Sequence, residues 1–200
     1  MLYDRRRPMT TPQLEQMFNL GRTHSHWLDR PVDPGLLRQA WDLAVLGPTS
    51  ANCLPMRVVF VVGAAAKARL RPALAAGNVD KTMAAPVTAI IGQDLDFPDT
   101  LPRLYPHADA QSWFAGNDAL IQSTAFRNSS LQAGYFILAL RAQGLDCGPM
   151  SGFDADQVDQ AFFADTKVRA NLLINIGYGD ATKLHPRNPR LSFTEGCRIL

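Results

Sequence analysis

Apolar positions follow two spacings along this 200-residue chain. After Asp33-Pro34, Leu36, Leu37, Ala40, Leu43 and Ala44 recur at helical intervals. The aspartate supplies a cap and the proline suits a first turn, so a helix is predicted until Gly47-Pro48 stops it. Thr11-Pro12 gives the same signal for a shorter helix over 13–19. Residues 64–74 read as a third helix, with Pro72 near its end. Residues 118–143 are the longest helical candidate, apolar almost all round between Leu131 and Leu140. That pattern marks a central buried helix, closed by Gly144. Asp154 caps a short helix ending near Phe163. Three brief β-branched or aliphatic runs, 57–62, 86–92 and 172–176, read as buried strands. Residues 94–116 show little periodicity but carry Phe97, Tyr105, Trp113 and Phe114, which predicts a long functional loop or lid. The Pro- and Arg-rich tail from Ala181 reads as extended. This mixture predicts a single α+β domain over 1–200, with a flexible end over 1–10.

Composition narrows the function classes. A hydrophobic content of 46% is ordinary for a globular protein. A formal net charge of +2 gives no global field for nucleic acid or an acidic membrane surface. The Arg5-Arg6-Arg7 run reads as a solvated end. Cys53, Cys147 and Cys197 are odd in number, far apart and free of any Cys-x-x-Cys pairing. Neither a disulfide framework nor a zinc knuckle is indicated, and a reducing cytoplasm is the expected compartment. The N-terminus lacks the apolar core of a signal peptide, and no apolar run is long enough to span a bilayer.

Four short segments carry the candidate chemistry. Arg22-Thr23-His24-Ser25-His26 supplies cationic and hydroxyl donors suited to a phosphate. The polar turn Thr49-Ser50-Ala51-Asn52 follows a helix stop, and the Asn52 amide both donates and accepts. Gly148-Pro149-Met150-Ser151-Gly152 reads as a turn able to present backbone N–H groups to a ligand. Ile176-Gly177-Tyr178-Gly179-Asp180 is followed by Arg187 and Arg190. Together these segments predict one flavin mononucleotide site. His24 and His26 form a His-x-His pair with no third ligand at telling spacing, so no metal is expected. Ser151 lacks the Gly-x-Ser-x-Gly frame of a nucleophile elbow, and Gly177-Tyr178-Gly179 lacks the full dinucleotide fingerprint.

The chain resembles the FMN-dependent nitroreductase family, and within it the malonic-semialdehyde-reductase branch of pyrimidine breakdown. The likeness runs through Gly47 to Cys53, Ala85 to Ile90, Pro106 to Ala110, Ala125 to Ser130, Gly148 to Asp154 and Asn171 to Asp180. It implies a mainly antiparallel sheet flanked by helices, in an intertwined homodimer with flavin at the subunit interface. It also implies residue roles. Arg22, Thr23 and His24 would meet the phosphate, closed by Arg187 and Arg190. Thr49, Ser50 and Asn52 would line the polar loop. Asn78, Lys81 and His26 would contact the ring, Lys81 near N1 and O2. Pro149 and Met150 would lead to Ser151 and Gly152, whose N–H groups would face N5 and O4. His185 stands where many relatives carry lysine, and Met56 where many carry an aromatic.

The implied activity is ping-pong hydride transfer from NADH or NADPH through FMN, reducing malonic semialdehyde to 3-hydroxypropanoate. No side chain need act as a nucleophile; Lys81 or His26 would stabilise charge. Arg103 or Arg127 could meet a substrate carboxylate, and Trp113 and Phe114 could cover the ring. Alternatives are a general nitroreductase or quinone reductase, a non-catalytic flavin module, and a hydrolase using Ser151 or Cys147.

Overall fold

The computed structural model describes residues 8–200. The reading of Arg5-Arg6-Arg7, and most of that of the flexible end, lies outside this range.

Four strands form one antiparallel sheet in the order β1-β2-β4-β3: β1 Met56–Val62, β2 Val87–Asp94, β3 Asp146–Met150 and β4 Val168–Gly177. Successive side chains point to opposite faces. Met56, Val58 and Phe60 therefore serve one core while Val59 and Val61 serve the other. Both faces are covered, so the central strands β2 and β4 are mostly apolar on both sides rather than alternating, interrupted by the buried Thr88 and Asn175.

The first face is closed by α2 Pro34–Ala44 and α6 Asp118–Ala142. Leu37, Ala40, Ala44, Phe136 and Leu140 meet Met56, Ile91 and Ile174 there. Asp33 caps α2 through the Gly35 N–H, and Asn117 caps α6 through Leu120. The opposite face packs on α3 Gly63–Leu70 and α7 Ala155–Phe162, through Leu70, Val158 and Phe163. The short α1 Thr11–Leu14 runs into a wider turn over Glu15–Asn19.

Several expectations are corrected. α6 is not buried all round, since Phe126, Leu131 and Tyr135 are exposed. Residues 64–74 are α3 followed by a tight turn. A further helix, α4 Ala76–Ala84, lies beyond it; its first turn contains Gly77 and its N-cap is Ala75, which gives no side-chain cap. Residues 146–150 form a strand rather than a turn. β3 sits at the sheet edge, where a proline with no N–H to donate is tolerated, so Pro149 does not exclude it.

Residues 94–116 are not a loose lid. They fold into tight turns and α5 Leu101–Leu104 around a small core of Phe97, Leu101, Ala110 and Phe114 with Cys53 and Ala125. Phe97 and Phe114 stack edge to face at 4.9 Å. The tail is mainly extended, ending in α8 Phe193–Gly196. No described helix is long and apolar enough to cross a membrane.

Candidate functional site

The first polar segment is an added edge of the sheet. Thr23 bridges Cys147 of β3, and the His24 N–H donates to the Cys147 carbonyl at 3.0 Å. Trp27 then bridges Gly179 beyond β4, while the Asp180 N–H donates to the His26 carbonyl at 3.0 Å. These links bring Arg22–His26 against the turn that follows β4. Close approach requires the glycines. A Cβ on Gly148 would lie 2.5 Å from the His24 carbonyl, and one on Gly179 would lie 2.0 Å from His24 Nδ1.

A cavity of about 260 Å³ opens where the two segments meet, and its cations are Arg22, Lys183, Arg187 and Arg190. Arg22 donates to the His185 carbonyl at 2.5 Å, and Arg187 donates to the Gly21 carbonyl at 3.2 Å. His24 also borders this cavity but is only 4% exposed. Its Nε2 faces Asp146 Oδ1 at 3.4 Å, and its Nδ1 is buried with no hydrogen-bond partner among the described residues. The ring is thus part of the cavity wall. Asp180 is the one carboxylate among the lining residues. Thr182 donates to it through its hydroxyl and N–H, holding its carboxyl below the usual range.

A second cavity of about 490 Å³ adjoins the first, sharing Ser25, His26, Asp180 and Lys183 and adding Trp27 and Lys81. Trp27 Nε1 donates to the Lys81 carbonyl at 3.1 Å, fixing the end of α4. The start of α4 is stitched to the segment after β3. Asn78 Nδ2 donates to the Gly152 carbonyl at 2.7 Å, as does the Ala75 N–H at 3.1 Å. Asn78, Lys81 and the 150–153 segment are therefore held as one unit, with Ser151 and Pro149 exposed and Met150 and Gly152 partly buried.

The remaining predicted residues form a separate group. Neither cavity includes Thr49, Ser50, Asn52, Arg103, Trp113, Phe114 or Arg127, and Asn78 and the 149–152 segment also lie outside both linings, tied to the second cavity through the helix that carries Lys81. The turn at 49–54 is pinned to α6 and α5. The Ser50 N–H donates to Asn128 Oδ1 at 2.9 Å, Asn52 Nδ2 donates to the Leu104 carbonyl at 2.8 Å, and Thr49 Oγ1 accepts from the Leu54 N–H. Ala51, Asn52 and Leu54 all have positive φ, a strained arrangement that persists only where its surroundings enforce it. Arg103, Trp113 and Arg127 are exposed, whereas Phe114 is mostly buried in the small core and borders a third cavity of about 750 Å³ with Leu95, Pro98 and Ile121.

The hydrolase alternative loses its thiol. Burial pushes Cys147 up to about 12, so it is a protonated thiol at neutral pH. Among the described residues, no group of three His, Cys, Asp or Glu is arranged to hold a metal.

Sequence reasoning missed Trp27 and Lys183 as lining residues. Lys183 lay in a tail without periodicity. Trp27, one residue beyond the basic segment, reads from sequence as an ordinary packing aromatic.

The donor set, a half-open basic cavity beside a second one edged by a lysine, fits a phosphorylated ring compound. The comparisons agree with that architecture. A Burkholderia lata protein bearing the provisional name NADH dehydrogenase/NAD(P)H nitroreductase is 62% identical over 186 residues, covering 93% of this chain and 95% of that protein. A Bacillus subtilis crystal structure, provisionally titled a nitroreductase, superposes with a TM-score of 0.87 at 23% identity, covering 96% of this chain and all of that one. An Exiguobacterium sibiricum structure, titled a nitroreductase in complex with FMN on the same provisional footing, gives a TM-score of 0.82 at 19% identity over 96% and 99% of the two chains. Residues 22–178 match the Nitroreductase family as a whole, and the chain belongs to that family.

Proposed function

We propose that this chain is an FMN-dependent NAD(P)H oxidoreductase that reduces malonic semialdehyde to 3-hydroxypropanoate. The observation that carries the reading is the pair of adjoining cavities, one ringed by cations and the other edged by Lys81. FMN supplies hydride acceptance and donation when bound, and the protein binds and orients it. Arg22 and Arg187 hold the phosphate by charge-assisted hydrogen bonds. Lys81 stabilises negative charge on the pyrimidine edge of the ring, and the Ser151 and Gly152 N–H groups fix the opposite, reactive edge.

The site works as a homodimer. Asn52, Arg103, Trp113 and Arg127 sit apart from the basic cavity of their own chain, so they serve the site of a second copy. Exposed Phe126, Leu131 and Tyr135 on α6 offer the apolar contact. Arg103 and Arg127 then supply cations for the carboxylate end of the semialdehyde. A general nitroreductase or quinone reductase is the second reading, favoured by the exposed Trp113, which could stack on a flat acceptor.

Kinetics with each acceptor decide between the two. The proposal expects kcat/KM for malonic semialdehyde to exceed that for a nitroaromatic and a quinone by at least about a hundredfold. A ratio near one, or one favouring the quinone, removes the semialdehyde assignment. A preparation that takes up no FMN removes the flavin reading itself.

A further inference from the structure

Lys67 is a charged group that the chemistry above does not use. It lies on α3 with only 4% exposure, and no carboxylate among the described residues is within ion-pair distance of its Nζ. A buried ammonium costs several kcal/mol, roughly, unless it is well hydrogen-bonded. Here Nζ donates to the Thr82 carbonyl at 2.7 Å and to Thr88 Oγ1 at 2.6 Å. Thr82 is in the last turn of α4, where outward-facing carbonyls favour a cation.

From Nζ the hydrogen bonds run in one direction. An ammonium can only donate, so the Thr88 hydroxyl must turn its own proton elsewhere. It donates to Asn175 Oδ1 at 2.7 Å, which fixes which way that amide faces. Asn175 Nδ2 then donates to Thr82 Oγ1 at 3.2 Å, and the Thr82 hydroxyl donates to Met150 Sδ at 3.5 Å. Thr88, Asn175 and Thr82 are all fully buried. The relay thus joins α3, β2, β4, α4 and β3. It ends at two places that matter: Thr82 follows Lys81, and Met150 precedes Ser151.

We propose that Lys67 is a positioning residue whose buried ammonium sets the orientation of this relay and thereby the relative placement of Lys81 and Ser151 about the flavin ring. The proposal rests on the flavin reading for its ligand, though the coupling of α4 to β3 stands on the hydrogen bonds alone. Lys67 touches neither cavity and acts only through Thr82, Thr88 and Asn175.

The test compares the parent with Lys67→Met, Thr82→Val and Thr82→Ser. Lys67→Met keeps the volume and removes the donor; Thr82→Val breaks the relay in its middle and leaves Lys67 bonded to the carbonyl. In the ligand-free proteins, amide hydrogen exchange over 76–84 and 150–153 is expected to quicken about tenfold in Lys67→Met and Thr82→Val, with α6 unchanged. In the FMN-loaded proteins, both variants are expected to shift the visible band of the flavin and lower kcat for NADH oxidation about tenfold at nearly unchanged KM. Thr82→Ser, which keeps the hydroxyl, is expected to restore parent behaviour.

Parent-like exchange and an unshifted flavin band in Thr82→Val overturn the proposal, and so does quickened exchange spread evenly over the chain. If Lys67→Met does not fold, Thr88→Val takes its place, since it cuts the ammonium off from Asn175 and leaves its bond to the Thr82 carbonyl; quickened exchange over the same two segments is expected, and parent-like exchange overturns the proposal. If the parent takes up no FMN, the flavin reading falls, and the exchange comparison still decides whether Lys67 couples the two segments.

Discussion

Arg22 and Arg187 are crossed: each guanidinium donates to a backbone carbonyl of the other's segment, Arg22 to His185 and Arg187 to Gly21. The two residues are 165 positions apart in sequence, yet they close one cavity. The clasp spends only part of each fork, and an Arg fork carries five N–H donors. The rest can meet a dianion. Arg187→Ala is therefore expected to weaken FMN binding about tenfold to a hundredfold, the range for a charge-assisted contact. Riboflavin, which lacks the phosphate, is the control. Fluorescence titration should show its affinity nearly unchanged, and equal losses for both ligands would count against a phosphate role.

Lys81 borders the second cavity and not the first. Its removal should act on chemistry rather than on anchoring. For Lys81→Ala, stopped-flow reduction by NADH at saturating cofactor is expected to slow about a hundredfold to a thousandfold, the range for losing one preorganised donor. The FMN dissociation constant should rise less than in Arg187→Ala. A variant whose reduction rate matches the parent at full FMN occupancy removes Lys81 from the ring edge.

The parts of this molecule that were legible in the sequence are those with a strong local signal. Asp33-Pro34 and Gly47-Pro48 bracket α2 closely, and the apolar runs give β1, β2 and β4. α4 was not visible because Gly77 and an alanine cap replace the usual start signals. β3 was hidden by Pro149, which only an edge position permits. The basic cavity was legible as residue types, but its geometry was not. That His24 turns inward depends on Gly148 and Gly179 letting two backbones approach, a long-range fact without local trace. Lys67 carries still less signal: in an alanine-rich helix it reads as an ordinary surface lysine.

The division of the predicted site into two groups has a consequence in mixed dimers. Arg22→Ala and Asn52→Ala chains should each show reduced activity alone. If one site takes Arg22 from one copy and Asn52 from the other, a mixed dimer concentrates both defects in one site and leaves the second intact. Co-refolding the two variants in equal amounts should then recover activity above either parent variant, about a quarter of wild type from statistical pairing. No recovery, with mixed dimers shown by mass spectrometry, would place both residues in one copy's site.

Gly148 tests how the basic segment is held. A Cβ there meets backbone, the His24 carbonyl at 2.5 Å, so no rotamer change can relieve it. Gly148→Ala must push the 22–26 segment off β3. A loss of about 1–3 kcal/mol is expected in urea unfolding, in the range for overpacking. FMN affinity should fall with it because Arg22 rides on the displaced segment. Gly134→Ala is the matched control, since its Cβ meets nothing within 4 Å and it sits inside α6, where alanine is the better helix former.

The buried groups give stability a pH dependence whose sign can be worked out. Burial lowers Lys67 from 10.5 to about 8. Between those values the unfolded chain binds more protons at this group than the folded one, so stability rises with pH, by about 3 kcal/mol at most. Burial acts oppositely on the thiols, raising Cys53 to about 11 and Cys147 to about 12 from 9.0. Their contribution is complete below pH 9 and is lost as pH climbs through 11 and 12. The Lys67 gain therefore stands apart from the thiol loss only between about pH 8 and 9. Urea unfolding of the ligand-free protein should show stability rising across that interval and turning down above it. Lys67→Met should show the downturn without the rise. Identical profiles for the two proteins would mean that Lys67 keeps its ordinary affinity for protons, and that the folded chain gives its ammonium far more water than the relay through Thr88 and Thr82 allows.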